Sequence, residues 1–552
     1  MSNVDLEGMA MTDAREAPAR SPWLVLIVLC LGFFMILLDT TIVNIAIPDM
    51  IDKLGATLDQ ILWVINAYIL AYAVLLITAG RLGDLYGPKA LFITGLIVFT
   101  LASAACGLAQ TPNQLILARI VQGVGGALLT PQTLSTLTII FPPAKRGAAF
   151  GIWGAVAGVA TIAGPTLGGW LVTNWSWRWI FYVNLPVGIV TLILAIILMP
   201  DIKINRRHKL DWLGTALATL GLFLVCFGLI EGQSHDWGKV WGPITIPMVI
   251  AAGVVVLILF MWQQYVQRNQ EPLVPFAIFK DRNFSLMNFV VAAISFGMLG
   301  LFLPLVIYLQ SVLGLTALQA GLALAPMSVI SMFVAPVAGR LSDKFGGKWV
   351  LFAGLSLWTL GLSIVLASAH PDSTTLHLLP GLLVAGLGLG MTFAPLQTIA
   401  MLNVAPNVAG AASGMITTTR QLGAVIGSAA VGALLQAQLS DKLPATALAN
   451  AAAVPEQFRQ RFIEGFSNAA SKGLEVGAGQ SGVALPTGLP EQVLQAIAAA
   501  AQKTFHEAFT SAMRITLVLP LIVLGMAALT VLLVRRKPAV DRGPVVTTPA
   551  GS

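Results

Sequence analysis

The chain alternates long apolar runs with short polar breaks. The first run begins near Trp23 and continues for about 25 residues to Leu38-Asp39-Thr40-Thr41-Ile42-Val43-Asn44-Ile45-Ala46-Ile47-Pro48, long enough to cross a bilayer as one helix. Thirteen further runs of similar character follow. The pattern predicts spans over roughly 23–48, 58–80, 90–110, 114–138, 148–173, 179–200, 212–231, 244–264, 285–312, 318–339, 349–369, 377–402, 410–437 and 509–534. The expected fold class is therefore an all-α polytopic membrane protein. Between the last two runs lies a more polar stretch, 439–507, in which Gln457–Phe466 and Glu491–Phe509 read as amphipathic helices around a Gly-rich middle, Gly473–Gly482. It reads either as a solvated cap or as a gating or partner element.

The runs repeat. Gly80-Arg81-Leu82-Gly83-Asp84 returns 259 residues later as Gly339-Arg340-Leu341-Ser342-Asp343, Gly147-Ala148-Ala149-Phe150-Gly151 returns 263 later as Gly410-Ala411-Ala412-Ser413-Gly414, and Pro131 returns 264 later as Pro395. Spans one to six thus match spans nine to fourteen in the same orientation, with two spans inserted between them. Parallel six-span halves around a central cavity are a plan for alternating access. The domains follow: a tail (1–21), a six-helix bundle (22–200), a linker with two inserted helices (201–284), a second six-helix bundle (285–534) carrying the 439–507 insertion, and a tail (535–552).

Composition sharpens this picture. Mean hydropathy is +0.84, 57% of residues are hydrophobic and 10% are charged, which excludes a soluble globular chain. The net charge of +7 is distributed by topology. With the N-terminus inside, Lys and Arg crowd the inner segments, while the short outer loops hold only Lys53, Arg178 and Lys239. Both termini are therefore expected in the cytoplasm, and the basic residues are anchors, not nucleic-acid contacts. No cleavable signal peptide is expected, since the first apolar run is too long for one. Cys30, Cys106 and Cys226 all lie in apolar runs and the five histidines have no ligand spacing, so neither a disulfide nor a metal site is expected.

Candidate chemistry starts at Asp39. A carboxylate within a span costs ~3 kcal/mol to insert, and such a group faces a wet cavity or a partner and marks an ion or proton path; the alternative is a hydrated position at the outer interface. In the fourth span Arg119 aligns with Leu383 of the other half. A buried guanidinium needs an acceptor or water, and Asp39 is a candidate; snorkelling is the alternative. Asn44, Trp63, Asn66, Tyr68, Gln122, Tyr308 and Gln310 are candidate substrate contacts, each competing with a structural role. Arg420 is a second cation within a span, its role open. The glycines at 386, 388 and 390 lie within an apolar run and read as helix packing, not as a nucleotide fingerprint.

Several motifs together resemble one family. Gly80-x-Leu82-x-Asp84-x-x-Gly87-x-Lys89 resembles the loop signature of the major facilitator superfamily. Leu38-Asp39-x-Thr41-x-x-Asn44-x-Ala46-x-Pro48, Trp175–Phe181 and Asn184-x-Pro186-x-Gly188 resemble its fourteen-span drug:proton antiporters, and Gly164-Pro165-Thr166-Leu167-Gly168-Gly169 resembles their antiporter motif. Pro88 stands where the loop signature usually has Arg, and Ala160 where the antiporter motif has an earlier glycine. The resemblance implies a proton-coupled exporter of lipophilic or monocationic drugs, dyes or antibiotics in the bacterial cytoplasmic membrane. It would be a monomer driven by the proton motive force, without cofactor. Asp39 and Arg119 would carry proton coupling. Gly80, Asp84, Gly87, Lys89, Arg340 and Asp343, with Gly164, Pro165, Gly168 and Gly169, would form the conformational switch. Export of an endogenous lipid or self-made antibiotic would use the same scaffold. A membrane enzyme or an ATP-driven pump finds no support, since Gly-x-Ser-x-Gly, His-Glu-x-x-His and a phosphate loop are all missing from the sequence.

Overall fold

A computed structural model describes residues 21–56, 58–202, 210–232, 235, 237–267, 272–472 and 491–535. Both tails, the basic stretch 203–209 and Gly473–Gly482 lie outside the described residues. In this sequence, apolar surroundings leave the backbone amides no partner but the chain itself, and helix satisfies them all. The first half comprises α1 (Pro22–Ile42), α2 (Ile47–Leu54), α3 (Leu58–Tyr86), α4 (Pro88–Leu108), α5 (Pro112–Ile140), α6 (Pro143–Asn174), α7 (Trp179–Tyr182) and α8 (Asn184–Leu198). Next come α9 (Trp212–Glu231), a small antiparallel hairpin of β1 (Lys239–Trp241) and β2 (Ile244–Thr245), and α10 (Ile246–Val266). The second half comprises α11 (Arg282–Ile307), α12 (Ala317–Phe345), α13 (Gly347–Ser368), α14 (Thr375–Gly390), α15 (Phe393–Ala400), α16 (Ala409–Asn450), α17 (Glu456–Lys472), α18 (Glu491–Thr516) and α19 (Val518–Leu532).

Among the described residues, twelve helical stretches are long and apolar enough to cross a membrane. Helices α5 and α6, of 29 and 32 residues, have the length but are less apolar; α5 turns Arg119, Gln122, Thr130, Gln132 and Thr133 inward. The repeat read from sequence is also a repeat of packing. In the first half α1 packs on α6, α3 and α4 on α5, and α8 on α1 and α4; in the second, α11 packs on α16, α12 and α13 on α14, and α19 on α11 and α13. The inserted hairpin α9–α10 lies outside this pair of bundles, its Ala218, Leu222, Cys226 and Phe260 against Leu70, Ala73, Val74 and Ile77 of α3.

Two elements differ from the sequence reading. The first span ends at Ile42, followed by a 3₁₀ turn (Val43–Ala46) and α2. Thr40 and Thr41 turn their hydroxyls back onto Leu37 and Leu38 carbonyls, and Asn44 Nδ2 donates to Thr40 O, bonds that compete with helix continuation. Pro48, with no N–H to lose, falls in the first turn of α2. The 439–507 stretch is not a separate soluble unit either. Helix α16 runs unbroken for 42 residues to Asn450, and α18 leads directly toward the last span. Leu439, Leu443, Phe462, Phe466, Phe505 and Phe509 continue the core of the second half outward.

Candidate functional site: a buried ion pair and two carboxylate-capped seams

Asp39 lies near the end of α1 and is fully buried, so the hydrated-interface placement does not hold. Arg119, on the second turn of α5, is 1% exposed and donates from Nη1 to Asp39 Oδ2 at 2.5 Å. The contact between the two charges is direct. The same nitrogen reaches Gln122 Oε1 (2.6 Å), and Arg119 Nε donates to the Val64 carbonyl of α3 (3.1 Å). Gln122 Nε2 completes the carboxylate's shell at Oδ1 (2.8 Å) and also donates to Ser103 Oγ of α4 (2.7 Å). Asn184 of α8 donates to Asp39 Oδ1 (3.4 Å) and Ser103 Oγ (3.3 Å). The guanidinium lies 4.2 Å from the centre of the Tyr68 ring, whose own hydroxyl is buried without a hydrogen-bond partner among the described residues. Groups from five helices thus meet in one cluster around the carboxylate, two of them, α5 and α8, touching it directly. The repeat mate of Arg119, Leu383, is exposed, so this chemistry belongs to the first half alone.

Ser103 and Asn184 were not singled out as site residues from sequence. Asn184 carried a signal, as the polar member of Asn184-x-Pro186-x-Gly188; Ser103 carried none. The sequence-level substrate candidates do not come together. Tyr68 and Gln122 belong to the ion-pair cluster. Asn44 is exposed on the turn after α1, and Asn66 is half-buried on α3. Trp63 packs against Phe227 of the inserted hairpin (ring centres 6.1 Å apart). Tyr308 is fully buried in the second half, its hydroxyl donating to the His370 carbonyl at 2.6 Å, with Gln310 half-buried one residue beyond Leu309. Tyr308 and Trp63 are therefore committed to helix packing in this structure. Arg420 is half-buried on α16.

The loop motif forms the contact between halves. Asp84, 2% exposed at the end of α3, accepts the Gly410 and Ala411 N–H groups, both at 2.7 Å, at the start of α16 in the other half. Asp343, at the end of α12, accepts the Gly147 and Ala148 N–H groups (2.7 and 2.9 Å) at the start of α6. Each carboxylate caps the positive end of a helix belonging to the opposite half. Close crossings accompany each cap: Gly80 meets Gly410 and Gly414 backbone to backbone, and Gly339 meets Gly147. Gly87, at φ +88°, makes the turn into α4. Lys89 Nζ donates to the Ile196 and Met199 carbonyls at the end of α8 (3.1 and 2.7 Å), and its repeat mate Lys348 does the same to Leu532 and Val534 (2.6 and 2.8 Å). Lys89 is thus a C-terminal cap and not a free anchor. Arg146, not singled out from sequence as a site residue, crosses between halves to the Met401 carbonyl at 3.1 Å. Arg340 is exposed beside Asp343.

Helix α6 changes partner along its length. Gly151 and Gly158 lie against α12, whereas Gly164 and Gly168 lie against Thr41 and Ile42, two and three residues beyond Asp39. Thr41 Oγ1 also reaches the Ala160 carbonyl (3.4 Å). Among the described residues Gly169 has nothing within 4 Å of an added Cβ, so no close approach among them requires glycine there. Pro165 lies in α6, but its side chain is outside the described residues. The three cysteines are unpaired.

Two parallel helical halves joined at one end by reciprocal carboxylate caps, with an ion pair buried in one of them, define a polytopic helical membrane protein. The chain belongs to the Major Facilitator Superfamily: residues 29–428 match it. The multidrug resistance protein Stp of Mycobacterium tuberculosis is 36% identical over 77% of this chain and 78% of its own. The probable actinorhodin transporter of Streptomyces coelicolor is 36% identical over 79% of this chain and 76% of its own. The crystal structure of the human organic anion transporter MFSD10 (TETRAN) shares the fold, with a TM-score of 0.56 at 14% identity, covering 92% of this chain and all of that one.

Proposed function

We propose that this protein is a proton-coupled exporter of lipophilic or monocationic drugs, dyes or antibiotics, acting by alternating access in a bacterial cytoplasmic membrane. The fully buried Asp39–Arg119 pair carries the reading. The names of its relatives, multidrug resistance and antibiotic export, support the cargo class. With helices α5 and α6 the twelve apolar stretches would make fourteen spans, and the excess of Lys and Arg in the segments at the end bearing Asp84 and Asp343 supports an inside position for that end and both termini. Both caps hold the inner end closed in this arrangement.

Burial changes what competes for Asp39. In this state the cation on the carboxylate is Arg119, not cargo. A proton reaching Asp39 removes the charge that compensates the guanidinium, and an uncompensated buried charge costs ~3–5 kcal/mol. That is enough to drive Arg119 to a new acceptor and, through Thr41 and the Gly164–Gly168 contact, to shift α1 against α6. Coupling therefore runs through the ion pair to the helix seam. Exchange of one proton for one monocation is electroneutral and follows ΔpH; a neutral cargo draws also on the potential, about 2.3 kcal/mol per 100 mV. Export of a self-made antibiotic is favoured equally by the actinorhodin relative and uses the same machinery.

The test is ethidium transport in proteoliposomes under an imposed pH gradient. Asp39→Asn abolishes gradient-driven uptake, and Asp39→Glu keeps part of it. Unchanged transport in Asp39→Asn rejects the assignment.

A further inference from the structure

The two seams between halves are related by the repeat, yet differently finished. The α3–α16 seam is roofed by protein: Leu70, Ala73, Val74 and Ile77 lie under the α9–α10 hairpin together with Leu273 and Val274. The α6–α12 seam has no such roof among the described residues. At its basic end is an open cavity of about 350 Å³ lined by Ala144, Lys145, Ala148, Arg340, Asp343 and Lys344. Lys145, Arg340 and Lys344 are all exposed, and both oxygens of Asp343 are already taken by the Gly147 and Ala148 N–H groups. The three cations form no ion pair among the described residues, so the cavity carries a surplus of positive charge. At the roofed seam the corresponding positions are Val408, Arg81 and Leu85, with Arg81 buried. Packing alone would treat the two copies alike; two of the three cations are specific to the open one.

Immediately beyond the cavity the same helix faces become apolar. On α12, Leu341, Val337 and Phe333 follow Lys344 and Arg340 at helical spacing and are 38%, 53% and 67% exposed. On α6, Ile152 and Val159 follow Lys145 and Ala148 in the same way. A cationic basin continuous with an apolar track has the polarity of one lipid molecule. We propose that this seam binds an anionic phospholipid, its phosphodiester headgroup held by Lys145, Arg340 and Lys344 and an acyl chain lying along Phe333–Leu341, so that lipid roofs the second seam as the inserted hairpin roofs the first. Bound there, it bridges the halves and favours the sealed basic end. The leaflet involved, the inner one, rests on the proposed orientation; the binding itself does not rest on drug export.

The experiment uses the full-length protein, purified and titrated with phosphatidylglycerol or phosphatidylcholine and read by native mass spectrometry. One tightly held phosphatidylglycerol is expected, bound at least tenfold more weakly by the Lys145→Gln/Lys344→Gln variant and unchanged in Lys53→Gln at the opposite end. A phosphatidylglycerol with a photoreactive acyl chain should label the Phe333–Leu341 peptide. Identical thermal unfolding in phosphatidylcholine nanodiscs confirms that the variants fold. Equal retention by the variant, labelling confined to other helices, or displacement of the lipid by millimolar inorganic phosphate overturns the proposal. No pH gradient or dye enters the assay, so its outcome is independent of the transport test.

Discussion

The ion pair makes a quantitative prediction that separates a coupled pair from two independently useful residues. Asp39→Asn leaves a guanidinium that is 1% exposed with neutral acceptors alone, Val64 O, Gln122 Oε1 and the introduced amide oxygen, and no counter-charge. Arg119→Met leaves a fully buried carboxylate with the amides of Gln122 and Asn184 but no counter-charge. Each single change strands one charge and is expected to destabilise by ~3–5 kcal/mol. The double variant strands neither, and loses instead a handful of hydrogen bonds at ~1 kcal/mol each, several of which the introduced amide can re-form with Gln122 and Asn184. The double variant is therefore expected to be more stable than either single one, with a coupling of about 3 kcal/mol in the cycle. Unfolding in a common detergent, followed by Trp fluorescence against denaturant, measures it. All three variants should lose gradient-driven transport, whereas the double variant should still exchange labelled for unlabelled substrate with no gradient. Additive destabilisation would refute the reasoning, because it would show that neither charge compensates the other.

Three further predictions follow from the seams and the second half. Asp84→Asn or Asp343→Asn weakens two charge-assisted bonds to a helix start, ~1–3 kcal/mol per site; a cysteine at Ala148 should then react faster with a membrane-impermeant maleimide in inverted vesicles, and an unchanged rate in both variants would show that the caps do not hold the seal. Gly80→Leu puts a side chain into the Gly410 carbonyl; the protein should fold but stay open at the basic end and transport nothing, and full activity would mean that this crossing is not part of the cycle. Tyr308→Phe removes only the bond to the His370 carbonyl, so stability should fall by ~1 kcal/mol while the apparent KM for dye stays within twofold; a tenfold shift would restore Tyr308 as a cargo contact.

Much of this is legible along the chain because membrane folding follows local rules. Span length and the Lys and Arg bias depend on residues near one another in sequence, and the 259–264-residue repeat is read by comparing short local motifs. Asp84 stands out along the chain because it is repeated at Asp343, but the helix each carboxylate caps is not readable there. What the sequence leaves open has one cause. Trp63 and Tyr308 suit a cargo contact by chemistry, as aromatic and hydroxyl groups, but side-chain type does not reveal which helix a residue faces. Ser103 escapes a sequence reading for the same reason, and the motif around Asn184 does not tell which carboxylate that side chain reaches.

The sequence by itself determined an all-helical membrane chain with a repeated pattern of motifs, and the presence of one acid and one guanidinium that hydrocarbon could not leave unsatisfied. Only the tertiary structure decided that those two satisfy each other directly, with Gln122, Ser103 and Asn184 around them, and that each seam carboxylate caps the opposite half. The division has a physical basis. The cost of placing polar groups in apolar surroundings is carried by each residue and can be read in order, whereas the partner that offsets it is chosen by helix packing across 80 residues at Asp39 and Arg119 and more than 300 at Asp84 and Gly410.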